Sequence, residues 1–253
     1  MKKRYLLYGA ALLLLLVGCR KREIPVERIV VTPEVVKMFV GESQEIQVEC
    51  YPSTATNLDL LTVANSKPEV ADFENGKLLA KSPGNAQILA RCGNVSGKSS
   101  ITVYSGYFTK GGKKYGVEKA TGYYYLYGQS TPQEMEIELA AYESNGEEQH
   151  FSAWIKCGNL GKTLDFMKDM DESQVSVWKN QNEDGYSIPY KKEDGTPAVV
   201  TADWSYTEAV VTKGLLTITD LSGGKYKVEA DFALSNGYKF TADWEGYPSM
   251  KTE

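Results

Sequence analysis

The sequence predicts an all-β protein built from two domains, and three observations carry this prediction. Short segments alternate apolar and polar residues with a period of two, as half-buried strands do. Turn signals rich in Gly, Asn, Asp and Pro separate these segments. The composition also changes near residue 105: residues 19–104 carry 10 basic and 10 acidic side chains, whereas residues 105–253 carry 15 Lys, no Arg and 23 acidic side chains. Because Ser105-Gly106 also supplies a flexible joint, we predict a domain boundary there.

Composition excludes several functional classes. The chain has 253 residues, of which 42% are apolar and 24% charged, as expected for a sequence that folds. Its net charge of −5 argues against nucleic acid as a partner, since nucleic-acid binding depends on Lys and Arg at phosphates. A single histidine, His150, leaves little for a His-based triad or a multi-histidine zinc site. We therefore predict no metal site and no cofactor.

The N-terminal segment predicts a targeting signal. Lys2-Lys3-Arg4 precedes an apolar run over 5–17, which is shorter than the ~20 residues of a comfortable membrane span. The run ends in Leu16-Val17-Gly18-Cys19, which resembles the lipobox of bacterial lipoproteins. The resemblance implies that residues 1–18 are a signal peptide and that Cys19 is the lipidated first residue of the mature chain. Two or three acyl chains would then anchor the protein stably to a membrane.

Residues 19–25 form a short charged tether after this anchor. Arg20, where inner-membrane lipoproteins of Gram-negative bacteria often have Asp, implies by resemblance an outer-membrane location. Surface lipoproteins of the Bacteroidetes type often carry an acidic run here, whereas this tether is basic. Both a periplasm-facing and a cell-surface location stay open.

Residues 26–104 predict a domain of short strands. Ile46, Val48 and Cys50 alternate with polar residues, and Asn75-Gly76 predicts a tight hairpin of type I′. Further along the chain, a second alternating strand places four small or apolar side chains on one face: Ala86, Ile88, Ala90 and Cys92. A last strand follows near residues 101–103.

Residues in this segment resemble the bacterial immunoglobulin-like domain, group 2. The stretches that carry the resemblance are Ile29-Val30-Val31-Thr32-Pro33, Val40-Gly41-Glu42, Pro52 to Asn57, Ala64 to Ala71, Asn75-Gly76-Lys77 and Pro83 to Ile88. One departure is Leu60-Leu61-Thr62-Val63, where the family usually has a Trp. The resemblance implies an Ig-like β-sandwich that serves as an extracytoplasmic spacer or adhesive module and is seldom a catalyst.

The cysteines add a further expectation. Cys50 and Cys92 lie on inward-facing positions of strands that correspond to the pair bridged in many Ig sandwiches. In an oxidising compartment we expect a disulfide between them. The alternative is two buried free thiols, since free Cys is among the most buried residue types. Cys157 would then be unpaired and buried.

Residues 105–253 predict a second antiparallel β domain, either a sandwich or a calycin-like barrel. Met135, Ile137 and Leu139 alternate with glutamates, which predicts one wet face. The segments 225–232 and 238–245 predict a hairpin around Asn236-Gly237. Leu164, Met167 and Met170 have helical spacing and predict a short helix. The glycine and aromatic pattern at the end of the chain loosely resembles uncharacterised Bacteroidales-type lipoproteins.

Two aromatic motifs are candidate binding sites in this acidic domain. In Tyr123-Tyr124-Tyr125-Leu126-Tyr127, Tyr123, Tyr125 and Tyr127 share one strand face and could stack on sugar rings or on a partner chain. The alternative is a strand buried on both sides. Thr201-Ala202-Asp203-Trp204 recurs as Thr241-Ala242-Asp243-Trp244. Asp203 and Trp204 could form a platform with a carboxylate, or the two Trp could simply fill the core.

No catalytic motif stands out. The polar run Asn180-Gln181-Asn182-Glu183-Asp184-Gly185 offers oxygen ligands at alternate positions, as the first half of a calcium loop does. Lys191 stands where a closing Glu is needed, so a polar turn is favoured. We therefore predict a non-enzymatic envelope lipoprotein, in which an Ig-like spacer presents a β domain that binds a glycan or an envelope protein. The alternatives are a carbohydrate-active hydrolase with paired carboxylates and a structural subunit of an envelope assembly.

Overall fold

The computed structural model describes residues 23–168, 173–180, 183–188, 199–201, 205 and 209–253, with side chains omitted at 183 and 184. These residues form strands, turns and two short 3-10 helices, with no α-helix among them. The predicted all-β class is confirmed. In the described part of the chain, no helix is long and apolar enough to cross a membrane.

The N-terminal segment contributes three small sheets. Their strand orders are β1-β4, β2-β9-β8-β5 and β3-β7-β6. The strands are β1 Arg28–Thr32, β2 Val35–Phe39, β3 Ser43–Glu45, β4 Gln47–Tyr51, β5 Leu61–Asn65, β6 Ala71–Glu74, β7 Lys77–Ala80, β8 Gly84–Cys92 and β9 Val95–Tyr104.

Two sequence patterns explain how these strands form. The alternation in β8 buries Ala86, Ile88, Ala90 and Cys92, as predicted. Between β6 and β7, Asn75 and Gly76 have φ values of 51° and 77°, and Glu74 pairs with Lys77. Both central residues of a type I′ turn require positive φ, which Asn and Gly tolerate best. The predicted hairpin is therefore confirmed.

The C-terminal segment forms two larger sheets. The six-stranded sheet has the order β11-β10-β21-β20-β19-β15, and the seven-stranded sheet has the order β18-β17-β16-β14-β13-β12-β22. The strands are β10 Gly106–Lys110, β11 Lys113–Gly116, β12 Lys119–Tyr125, β13 Glu134–Tyr142, β14 Glu148–Lys156, β15 Thr163–Asp165, β16 Gln174–Lys179, β17 Glu183–Ile188, β18 Val200–Thr201, β19 Val211–Asp220, β20 Tyr226–Leu234, β21 Lys239–Gly246 and β22 Ser249–Thr252.

One hydrophobic core joins the two larger sheets. It takes Ile137 and Phe151 from the seven-stranded sheet and Phe232 and Phe240 from the six-stranded sheet, all fully buried. Two separate sheets around a shared core make a β-sandwich. This observation chooses the sandwich over the calycin-like barrel.

The C-terminal hairpin shows how alternation builds this core. β20 and β21 pair antiparallel, with Phe232 opposite Phe240 and Val228 opposite Trp244. These four side chains are at most 2% exposed. Trp244 therefore fills the core, and its Nε1 donates to Ser105 Oγ at 2.8 Å.

Two features differ from the expected antiparallel domain with a short helix. β22 pairs in parallel with β12, because the link after β21 carries the chain to the other sheet. Leu164 lies in β15, opposite Leu216 of β19, and residues 166–168 form a turn. The helix prediction was wrong because Leu164 and Phe166 are the buried positions, two residues apart, while Met167 is exposed. Met170 lies outside the described residues.

The chain divides into two compact units. The first contains the described residues up to 35 together with residues 46–66 and 87–100. The second contains residues 36–45 and 67–86 and the described residues from 101 onwards. The domain boundary that the sequence suggests at residue 105 stays a prediction.

Candidate functional site

A row of tyrosines lies on the outer face of the seven-stranded sheet. Tyr123 and Tyr125 project from β12, and Tyr127 follows it. Their ring centroids are 6.5 and 6.2 Å apart, with interplanar angles of 22° and 18°. Tyr124 points the other way, packs against the core and shares a hydrogen bond with the hydroxyl of Tyr226. We call Tyr123, Tyr125 and Tyr127 the tyrosine ladder.

Glutamates of the neighbouring strand fix the ladder. Tyr125 Oη donates to Glu136 Oε2 at 2.9 Å, and Tyr127 Oη donates to Glu134 Oε2 at 2.6 Å. Burial and the Glu136 carboxylate raise the pKa of Tyr125. The hydrogen bond to Glu134 raises the pKa of Tyr127 to about 12. Both phenols therefore stay protonated at neutral pH and hold their rings in place as donors.

Exposure differs along the ladder. Tyr127, at one end, is 61% exposed, whereas Tyr123 and Tyr125 are partly buried. Tyr125 also lies beside Trp154 of β14, with ring centroids 5.8 Å apart. The Lys251 Nζ lies 5.0 Å from the Tyr123 ring centroid. An exposed aromatic row rimmed by charged groups is typical of a binding surface.

The glutamates of β13 are less exposed to solvent than the sequence predicted. Glu134, Glu136 and Glu138 are each half-buried, and each accepts a side-chain hydrogen bond. Ser152 of β14 adds a second donor to Glu136. Cross-strand neighbours with donor groups therefore hold these carboxylates in place, which alternation along β13 alone could not show.

A second aromatic pair lies on the same face. His150 of β14 and Trp178 of β16 are directly opposite in the register. Their rings stack with centroids 5.1 Å apart and an interplanar angle of 3°. His150 Nδ1 lies 2.7 Å from Glu138 Oε1, and its Nε2 lies 3.3 Å from Glu148 Oε2. Two carboxylates therefore fix the imidazole from both sides.

The hydrogen bond with His150 lowers the pKa of Glu138 below its usual range, and the charge of His150 adds to the effect. A carboxyl group with a lowered pKa stabilises the fold above its unfolded-state pKa of ~4.3 and loses that contribution as the pH falls through its folded-state value. We predict that Glu138→Gln lowers stability by about 1.5–3 kcal/mol at neutral pH, the usual strength of a hydrogen bond to a charged group.

Urea unfolding of both proteins at pH 7 and at pH 3 checks this prediction. The gap between wild type and Glu138→Gln should shrink at the acidic pH, because the contribution of a carboxyl group with a lowered pKa is lost as the pH falls below its unfolded-state pKa. Glu134→Gln, which leaves His150 untouched, is the matched control. An equal gap at both pH values would contradict the assignment.

The structure brings some predicted site residues together and leaves others undescribed. Tyr123, Tyr125 and Tyr127 form one surface, whereas Cys19, Asp203 and Trp204 lie outside the described residues. Asn180, at the start of the calcium-like run, has φ of 48° and accepts from the Glu148 backbone N–H at 3.2 Å. It is thus a turn residue, and residues 181–182 and Lys191 are not described.

Four residues of this face were missed by sequence reasoning: Glu136, His150, Trp154 and Trp178. His150, Ser152 and Trp154 do alternate along one strand, a signal that could have marked one face. Trp154 Nε1 is shielded from solvent and has no hydrogen-bond partner among the described residues.

The three cysteines in the described part of the chain, Cys50, Cys92 and Cys157, are free thiols. Cys92 is 2% exposed, and its Sγ donates to Asn57 O at 3.3 Å. Burial, and then the influence of Cys92, raises the pKa of the Cys50 thiol. Cys157 is half-buried. The Cys50–Cys92 disulfide stays a prediction.

Comparison with known protein families gives a match for the N-terminal segment. Residues 25–103 match the bacterial Ig-like domain (group 2). This match points to an envelope or extracellular location and to a non-catalytic role for that segment. No curated protein matches the chain.

Two solved structures of S-layer protein align with the chain. Domains 5–6 of the S-layer protein SbsC share 14% identity, with 88% of this chain and 98% of that chain covered and a TM-score of 0.26. The longer rSbsC(31-844) shares 10% identity, with 86% of this chain but 38% of that chain covered and the same TM-score of 0.26. A likeness at this level supports no conclusion about fold or function.

Proposed function

We propose that this chain is a non-enzymatic envelope lipoprotein, anchored through Cys19, whose Ig-like domain is a spacer and whose acidic β domain binds a glycan. The lipobox-like sequence supports the anchor, and the Ig-like match supports the spacer. The observation that carries the binding role is the tyrosine ladder, with its rings held by Glu134 and Glu136.

The ladder suits a sugar ligand for physical reasons. Tyrosine presents a large, rigid surface with an apolar face, and few torsions are lost when it binds. Here the hydroxyls of Tyr125 and Tyr127 are already bonded, so these two rings need little further ordering when a ligand arrives. The carboxylates beside them can accept hydrogen bonds from sugar hydroxyls.

The exposed tyrosine gives the first test. We expect Tyr127→Ala to weaken binding of a glycan about three- to tenfold, since an aromatic contact contributes about 0.5–1.5 kcal/mol and 1.4 kcal/mol is tenfold. A glycan array on the full chain selects the probe, and isothermal titration calorimetry measures the dissociation constants. Reducing-sugar release is measured on the same glycans.

A matched control exists on the Ig-like segment. Tyr51 is also exposed, and its hydroxyl donates to Glu49 Oε2 at 2.6 Å, as Tyr127 does to Glu134. Tyr51→Ala should leave the affinity unchanged. Equal losses in both variants, or no array signal at all, would overturn glycan binding by the ladder. Released sugar would overturn the non-enzymatic role.

A further inference from the structure

A row of short side chains, which we call the strip, separates the tyrosine ladder from the His150–Trp178 pair. The register places Glu138, Ser152, Ser176 and Ser187 in one line across strands β13, β14, β16 and β17. The three serines are 4%, 7% and 8% exposed. Their short side chains lie between taller neighbours on both sides.

Larger side chains, among them aromatic ones, lie along both edges of this strip. On the ladder side, Trp154 and Gln174 are directly paired across β14 and β16. On the other side stand His150 and Trp178, two strand positions further along. Successive same-face residues of a strand lie roughly 6.6 Å apart, so the two walls leave a groove about 13 Å wide between their Cα atoms.

The floor of the groove is polar and ordered. Gln174 Nε2 donates to Ser176 Oγ and to Ser187 Oγ, both at 3.1 Å, and the two hydroxyls lie 2.8 Å apart. Ser152 donates to Glu136, so its oxygen keeps lone pairs that can accept from a ligand. The groove thus combines one indole in each wall, Trp154 and Trp178, with hydrogen-bonding groups on its floor.

The charge of this face indicates which glycans fit. Four carboxylates surround the groove and the ladder: Glu134, Glu136, Glu138 and Glu148. Three lysines of the same face lie nearer its edges: Lys251 over Tyr123, Lys119 opposite Ala140 and Lys156 opposite Glu134. A uronic acid or sulfated sugar placed on the floor would meet like charges at short range, which is unfavourable where water is displaced. A sugar with hydroxyls only would instead find acceptors.

We propose that the ligand is an extended neutral oligosaccharide that crosses the strands of the sheet, with one end on the tyrosine ladder and the other on the His150–Trp178 pair. This inference rests on the proposed glycan binding of the ladder and adds a second subsite and a charge class. A ligand that fills both subsites must be longer than one that fills the ladder alone.

The test compares ligand lengths and charges on the full chain. The probes are cellobiose and cellohexaose, xylohexaose and mannohexaose as neutral chains, and hexagalacturonate as the charged chain, each titrated by calorimetry. We expect Trp178→Ala to weaken a bound neutral hexasaccharide about tenfold and to leave its disaccharide unchanged. Tyr127→Ala should weaken both lengths, and hexagalacturonate should bind at least tenfold more weakly than the neutral chains.

Two further variants keep the test decisive if Trp178→Ala fails to fold. Trp178→Phe retains a ring and should keep most of the affinity for the hexasaccharide. Ser176→Gln raises the floor with a polar side chain and should weaken the hexasaccharide selectively. Tyr51→Ala is the control outside this face.

The outcomes separate the two proposals. If neutral sugars bind and neither Trp178→Ala nor Ser176→Gln discriminates by length, or if hexagalacturonate binds as tightly as neutral chains, the groove inference is overturned and glycan binding by the ladder stands. If no probe binds and a Lys-rich peptide binds instead, both proposals are overturned.

Discussion

Replacing Phe232 by alanine is expected to lower the free energy of unfolding by about 3–5 kcal/mol, the range found for buried Phe→Ala changes. Phe232 is fully buried at the centre of the sandwich. Its ring stacks on Phe240 with centroids 4.9 Å apart and meets Phe166 edge-on at 5.0 Å. Truncation removes both ring contacts and leaves a cavity that the paired strands β20 and β21 cannot close.

Urea unfolding followed by tryptophan fluorescence measures this loss. Asp231→Ala is the matched control, because Asp231 precedes Phe232 on the same strand and forms an exposed ion pair with Lys213. An exposed pair contributes about 0–1 kcal/mol, so this control should change stability little. If Phe232→Ala lowered the free energy of unfolding no more than Asp231→Ala does, the assignment of a shared core to the two sheets would be wrong.

Alternation was enough to predict the hairpin that contains Phe232. In β20 the partly exposed Asp231 and Ala233 separate Phe232 from the buried Ala230 and Leu234. In β21 Lys239 and Thr241 flank Phe240. Both strands bury one face, and a shift of one residue would expose every apolar side chain, so the register follows from the pattern. The hairpin at Asn75-Gly76 was predictable for a different reason, since its backbone angles favour those two residue types.

Other elements depended on contacts between distant segments. Helical spacing of Leu164 and Met167 was a weak signal, because Leu164 and Phe166 in the same short run fit the strand period of two. Pairing of β15 with β19 decided the conformation there. The choice of a sandwich over a barrel likewise depended on which strands end each sheet, which local patterns do not encode.

In the candidate site, too, some residues follow from local alternation and others depend on contacts between distant segments. The tyrosine ladder could be predicted because Tyr123 and Tyr125 alternate within one strand and Tyr127 continues that spacing just after it. Trp154, His150 and Trp178 belong to two other strands, and only the register of β13, β14 and β16 brings them to the same face. The glutamates are partly buried for this reason too, since their donors come from neighbouring strands.

Oxidation of Cys50 and Cys92 to a disulfide is expected to stabilise the protein by about 4 kcal/mol, the chain-entropy value for a closed loop of roughly 40 residues. Cys50 lies on β4 and Cys92 on β8, which belong to different sheets. A bond here would connect two sheets of the Ig-like segment, as in many Ig sandwiches.

The protein is purified from an oxidising compartment and unfolded in urea with and without a thiol reductant. We expect reductant to lower the stability of the wild type and of Cys157→Ala, and to leave the Cys50→Ala/Cys92→Ala double variant unchanged. Cys157→Ala is the matched control because it removes a partly buried thiol that the bond does not use. Since the Cys92 thiol donates to Asn57 O only in its reduced form, oxidation sacrifices that weak hydrogen bond, and the net gain measured should fall slightly below the entropic value. Peptide mapping under non-reducing conditions that recovers both cysteines as separate free peptides would show that the bond does not form, and the segment would then depend on its core alone.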